Sequence, residues 1–448
     1  MKNLCILLFC LMGTVAVISA QDSVTYRLRL DVPLFEYPEN IHIPYHYPSM
    51  KQALKYSLDF YELGYFGIDV MGDAVFGIKN RPESGLRNLA NSAFKYALGL
   101  GFAKYGSELP IPLGVWGHEE FHRSVLGVKG LSSENGNWIF GRWDGTVYGL
   151  TDESLDDLKS NDLNQLLYAY VAGVQYEILL SQEVTLQDFY FKRSLYKNSL
   201  LLYNAWYVYD YFRFSAGNFS DSVKIKAPPH EDVNPAQRDF AGADLTSWVY
   251  DMFSPAIPFT SRDSFPGGEG VNRRVGFSDL SPEGQEFLKD QKKLSLLNFL
   301  NPAIFFINRI RVSRNFAFNL FAQYAPTHFG NATAVYLPLQ YRNYDLLVHV
   351  GRFSSHDLKG VGAGIGIFSY PLGQKFDSDL QFRYWNQPES FMNDGKINGG
   401  SFHMKIRYHV KQNVSAYLVL HGKTMGWEPG DPYLDKNLSV QIGAQAGL

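Results

Sequence analysis

The sequence predicts an α+β chain, a mostly helical N-terminal part followed by an antiparallel β-meander. Between about residues 50 and 310 apolar residues recur at three- and four-residue spacing, the period of a helix face. From residue 312 onward the period changes to two, the period of a strand. Aromatic residues are also abundant, with 29 Tyr, 33 Phe and 7 Trp against 19% charged residues. Such a bias suits large apolar faces or a lipid boundary. A hydrophobic fraction of 46% excludes disorder for the bulk of the chain. The formal net charge of -3 provides no global attraction to nucleic acid, and none is expected as a partner.

Residues 1–20 read as a signal peptide: Lys2 supplies a short basic start, Leu4 to Leu11 an apolar core, and Ser19-Ala20 a small-residue cleavage end. Both cysteines, Cys5 and Cys10, fall inside it, so the mature chain is expected to form no disulfide and no thiolate metal site. The bacterial cell envelope, and the outer membrane within it, fits best; periplasm or secretion is the alternative. Residues 21–311 are expected to form the helical domain. It opens with a strand in which Val24, Tyr26, Leu28, Leu30 and Val32 alternate with polar residues. Helical patterns follow at Lys51 to Phe66, Ser84 to Tyr105, Asn161 to Gln182 and Ser194 to Phe214. Residues 216–290 are rich in Pro, Gly, Asp and Ser and predict a long loop region with one or two short helices. The apolar stretch Leu294 to Val312 is broken by Pro302 and three asparagines and carries Arg309 and Arg311, which makes it a poor spanning helix.

Residues 312–448 predict about eight strands in a meander. The clearest alternation sets Phe402, Met404, Ile406, Tyr408 and Val410 against His403, Lys405, Arg407 and His409. Val361, Ala363, Ile365 and Ile367 alternate with Gly362, Gly364 and Gly366 in the same way. Long strands with one apolar face and a polar or glycine-lined opposite face resemble bacterial outer-membrane β-barrels over this last part of the chain. That resemblance implies outer-membrane lipid as a partner. A soluble sheet with its apolar face inward has the same periodicity, and the chain departs from the barrel pattern by ending in Leu448 rather than an aromatic residue.

The residues that carry chemistry are His118, Glu119 and His122, in the HExxH segment His118-Glu119-Glu120-Phe121-His122. On a helix, positions four apart share a face, so both imidazoles can bind one Zn²⁺ while Glu119 takes a proton from water held there. Trp116, Phe121, Val125 and Leu126 around the motif predict a buried helix, and two buried histidines need partners. A catalytic zinc needs a third protein ligand. Glu177 is the downstream candidate, with Gly173 one turn before it allowing close helix approach. One helix giving two imidazoles and a second giving a carboxylate resembles the gluzincin class of zincin-type metallopeptidases. The resemblance implies His118, His122 and Glu177 as zinc ligands and Glu119 as general base. It covers only those residues: Ser181 stands where a companion acid would follow Glu177, and no third histidine of the metzincin kind is present.

An acyl-transfer site also needs a donor for the developing oxyanion, for which His230 and Arg238 in the loop region are candidates. Asp239 and Asp244 read as helix-capping residues. His403 and His409 read as polar lining of the sheet, and His42 and His46 as part of an ordered surface arm. The expectation is an exported zinc-dependent hydrolase acting on a peptide or protein, with a zincin-like helical domain and a C-terminal barrel. The rival expectation is a non-enzymatic outer-membrane barrel, a pore or scaffold, in which HEEFH is incidental.

Overall fold

A computed structural model describes residues 27–37, 47–78, 85–136, 145–191, 195–411 and 413–447. The signal-peptide expectation for 1–20, residues 24–26 of the first strand, and His42 and His46 lie outside them. In chain order the elements are β1 (Arg27–Tyr37), α1 (Met50–Phe76), α2 (Leu86–Gly101), α3 (Gly114–Val128), the short pair β2 (Glu134–Asn135) and β3 (Val147–Tyr148), then α4 (Asp152–Asn161), α5 (Leu163–Tyr190), α6 (Asn198–Ser215), α7 (Asn218–Lys226), α8 (Asp244–Phe253) and α9 (Pro282–Ser295). The strands β4 (Ile310–Ser313), β5 (Phe316–Phe318), β6 (Phe321–Thr327), β7 (Gly330–Tyr341), β8 (Tyr344–Ser354), β9 (Lys359–Pro371), β10 (Phe376–Pro388), β11 (Lys396–Lys411), β12 (Val414–Lys423) and β13 (Asn437–Gly447) complete the chain.

The α+β class is present, with more strands than the periodicity predicted. Among the described residues one antiparallel sheet holds eleven strands, in the order β1-β13-β12-β11-β10-β9-β8-β7-β5-β4 with β6 also on β7. Asn319-Leu320 interrupts what reads as a single strand from Phe316 to Tyr324, splitting it into β5 and β6. β1 pairs along β13, Val32 opposite Ile442, so the first described segment belongs to the C-terminal sheet. The sheet is not closed by strand pairing among the described residues. The 216–290 region carries α7 and α8 and the start of α9.

The helix α5 organises the interior. It is apolar on nearly every side and buried along most of its length, as a helix surrounded by protein must be. It runs along the inner face of the sheet. Tyr168 donates to the Asp431 carbonyl at one end, Gln175 to that of Pro326 and Tyr190 to that of Leu346 at the other. On its opposite side lies α3, which starts after Pro110 and Pro112. Gly117 of α3 faces the Tyr176 ring, where a Cβ would overlap it, and Phe121 meets the same ring edge-on at 5.4 Å. This close crossing brings the HExxH helix against the middle of α5.

Strand side chains divide by face. Val350, Ile365 and Phe382 point outward and are 57%, 58% and 52% exposed. The alternate residues line the inner face, where Arg407 pairs with Asp377 and Asp379, each at 2.5 Å. The glycines 362, 364 and 366 lie on this side; a Cβ on Gly362 would crowd Phe353, and one on Gly364 would overlap His349. His409 pairs with Asp377 at 2.5 Å, and His403 lies beside His421, in keeping with their reading as polar lining.

Candidate metal centre

His118 and His122 are both buried on α3, their rings edge-on with centroids 4.9 Å apart. Each has one nitrogen already engaged. His122 Nδ1–H donates to the Ala169 carbonyl at 2.5 Å, and His118 Nδ1–H donates to Glu177 Oε1 at 3.1 Å. With both Nδ1 atoms so engaged, Nε2 is the nitrogen left on each ring that could bind a metal, the arrangement that orients metal-binding imidazoles. Both Nε2 atoms converge on Asp244 Oδ2, at 3.3 Å each.

Glu177 therefore occupies a different position from the one expected. One turn beyond Gly173, it meets the Nδ1 side of His118 rather than the space in front of the two Nε2 atoms. The carboxylate in that space belongs to Asp244, at the first turn of α8, a residue that reads as a cap in the sequence. Its helix is capped at Ala243 instead, with no side-chain cap bond. Tyr211 on α6 donates to the same Asp244 oxygen at 2.7 Å and fixes it. His118, His122 and Asp244 form a buried group whose ligand atoms lie within 4.8 Å of one another and could hold a metal ion. Ligand atoms about 2.0–2.1 Å from a tetrahedral zinc are separated by about 3.3–3.4 Å, so the two nitrogen–oxygen separations fit a shared ion. They are long for a charge-assisted hydrogen bond, which is about 2.7–2.9 Å.

Gly173 explains how α5 can pass so near. A Cβ there would overlap the Nε2 atoms of both His118 and His122. The wall of the site is aromatic. Phe240 lies 5.3 Å from His122, and the half-buried Tyr207 and Tyr211 lie 6.2 and 6.0 Å from His118.

Electrostatically the site holds more acid than base. Burial pushes Glu119 well above the usual carboxylate range, opposed by His118 and reinforced by Asp239, Asp244 and Glu177. Burial likewise raises Glu177, with His118 opposing it, and raises Asp239 to about 6 with help from Asp244. Burial would also raise Asp244, but the two imidazoles overcome it and hold the carboxylate far below its ordinary value. Burial lowers His118, and Glu177 and Asp244 more than reverse that. Four carboxyl groups around two imidazoles form an environment that a cation would stabilise. The two adjacent glutamates of the motif have separate surroundings. Glu120 accepts from Arg123 at 2.7 Å and from Asn135 at 3.0 Å, whereas Glu119 is coupled to the histidines and the acidic group.

The oxyanion candidates lie elsewhere. Arg238 is buried against the carbonyls of Glu269 and Val271 and stacks on Phe265, and His230 ends a short surface turn. A second buried group, His421, Glu428 and Asp431, also has its ligand atoms close together. Lys51 lies 3.5 Å from Asp431 and Arg383 3.5 Å from Glu428, so the charge is already balanced and the group reads as an ion-pair network. A pocket between α5 and the sheet is lined by Gln175, Tyr336, His349, Arg383 and Trp385, and no HExxH residue borders it.

No family model matches the chain, and no curated protein does. Among solved structures, a crystal structure of Acinetobacter baumannii OccAB3 aligns at 6% identity with a TM-score of 0.24, covering 31% of this chain and 46% of that one. A match that weak carries no argument about fold or function.

Proposed function

We propose that the protein is a divalent-metal hydrolase, zinc being the best-fitting ion and a peptide the first substrate to test, carried on an outer-membrane barrel-like sheet. The observation that carries the first part is Asp244 Oδ2 standing 3.3 Å from both imidazole Nε2 atoms while both Nδ1 atoms are committed elsewhere. Two histidines and one carboxylate are the donor set of a catalytic zinc, which keeps its fourth position for water or substrate. An ion held there supplies a Lewis acid. His118, His122 and Asp244 would hold it, and Glu177 and Ala169 orient the imidazoles. Glu119, with its affinity for a proton raised by burial, would take one from water and return it to a leaving group. Tyr207 and Tyr211 border the half-buried side from which a substrate would approach.

The outward apolar face of the sheet supports the membrane location. At the end of the sheet where the β7–β8, β9–β10 and β11–β12 turns lie, Tyr344 stacks on Tyr370 and Phe376 packs on Tyr408. An apolar belt with an aromatic rim around a polar interior is the surface of an outer-membrane barrel. Among the described residues no helix is long and apolar enough to cross a membrane.

Metal analysis of the purified chain, followed by incubation with a peptide library, tests the proposal. One zinc per chain, lost in His122→Ala and retained in Glu119→Gln while cleavage disappears, is the expected result. Unchanged metal content in His122→Ala would end the metal reading. Bound zinc without cleavage of any amide or ester would leave a structural ion and end the hydrolase reading.

A further inference from the structure

Among the described residues the sheet ends in β1 on one side and in β4 and β6 on the other, and helices join the two edges. The Arg29 N–H of β1 donates to Asp59 Oδ2 of α1 at 2.7 Å, and Lys55 of α1 pairs with Asp31 of β1. On the other side, Tyr96 of α2 lies 5.3 Å from Phe306, four residues ahead of β4. The hairpin α1–α2 therefore stands where further strands would be needed to close a barrel.

Its side chains are arranged inside out for a water-soluble surface. Lys95 of α2 is 4% exposed and held between Asp69 and Asp73 of α1, at 2.6 Å each, with Asn91 donating to Asp73 at 2.8 Å. Gly72 leaves the space through which the lysine stem reaches them; a Cβ there would overlap it. The outer side carries Leu63, Val70, Met71 and Val75 on α1 and Leu86 and Leu89 on α2, with Val70 at 53% and Leu89 at 61% exposure. A soluble helix pair would bury those residues and expose the charges. Burying a lysine between carboxylates carries a desolvation cost, and intramembrane charges characteristically face a partner in the interior. The apolar side continues the outward face of β1, where Leu30 and Val32 are 59% and 47% exposed. At 27 residues, α1 is about 40 Å long, enough to pass a hydrocarbon layer of about 25–30 Å at a tilt. Its inward charges are the reason that mean hydropathy does not mark it as a spanning helix.

We infer that α1 and α2 are part of the lipid-facing wall, helices sealing the seam of an open β-barrel, with bilayer hydrocarbon as their partner. The inference rests on the membrane reading of the sheet, and its test separates the two. Nitroxide labels are placed singly at Val70→Cys, Leu89→Cys, Ile365→Cys and Lys289→Cys of the full chain with Cys5→Ser and Cys10→Ser. The protein is reconstituted in vesicles of phosphatidylethanolamine and phosphatidylglycerol. Collision with oxygen, which concentrates in lipid, is compared with collision with a water-soluble nickel chelate. The expected result is an oxygen-to-nickel ratio at Val70 and Leu89 equal to that at Ile365 on the sheet and higher than that at Lys289. A lipid-like Ile365 with water-like Val70 and Leu89 would overturn the hairpin inference and leave the sheet in the membrane. Water-like values at all four sites would overturn both. Labels at Val70 and Leu89 shielded from both reagents would mean that protein, including a second copy of the chain, covers the hairpin, and would overturn it as well.

Discussion

Gly173 of α5 lies so close beneath His122 that a single added methyl group would overlap the imidazole Nε2. The same methyl would overlap Nε2 of His118, so one backbone position controls access to both nitrogens. Gly173→Ala is therefore expected to displace the rings and abolish stoichiometric metal binding while the helix itself is retained, since alanine is the better helix former. Metal content beside far-ultraviolet circular dichroism checks this. A variant with an unchanged spectrum and a full complement of zinc would show that the two Nε2 atoms do not meet at an ion.

Asp244 and Glu177 touch different nitrogens of His118, and their replacement should separate ligand from orienting group. Asp244→Ala removes a carboxylate from in front of both imidazoles and is expected to empty the site. Glu177→Gln keeps a hydrogen-bond acceptor at Nδ1 and should weaken binding by about 10–100-fold, the usual effect of losing a second carboxylate behind a ligating histidine. Competition titration with a chromogenic chelator reads both. Equal losses, or the reverse order, would restore Glu177 as the ligand.

The two neighbouring glutamates should likewise separate. Glu119→Gln is expected to keep the metal and lower turnover by about 10²–10⁴-fold, the range typical of a lost general base. Glu120→Gln acts on structure, because Glu120 is tied to Arg123 and Asn135. It should leave turnover per bound metal unchanged and destabilise by about 1–3 kcal/mol. Steady-state kinetics normalised to metal content, together with urea unfolding, distinguishes the two.

What could be read from residues alone follows the range of each interaction. Alternation in β8 through β13 was legible because pleating imposes a period of two on any strand with unlike faces. The HExxH pair was legible because both histidines lie on one turn-spaced helix face. Asp244 was not. It stands more than a hundred residues from the motif, at the start of a short helix inside a Pro- and Gly-rich region. The small residues Ala241-Gly242-Ala243 before it were the available signal that a helix could approach closely there. The position of β1 was hidden for the same reason: its partner β13 lies at the other end of the chain, and alternation identifies a strand without naming its neighbour.

His328 provides a pH test away from the metal centre. It lies in the turn between β6 and β7, 3% exposed, beside Phe329 at 4.9 Å and Tyr168 at 6.4 Å, and its Nδ1 has no hydrogen-bond partner among the described residues. Burial lowers its pKa to about 3, so the folded chain keeps the ring neutral where an unfolded chain takes up a proton near 6.5. A depressed folded value means that the associated stability is complete above 6.5 and declines as pH falls from there toward 3. At pH 5 the decline from this group amounts to about 2 kcal/mol. His328→Phe preserves a planar ring without the titration. Its unfolding midpoint in detergent should therefore fall less steeply than the wild-type midpoint between pH 7 and 5, and parallel slopes for the two chains would show that His328 titrates normally when folded.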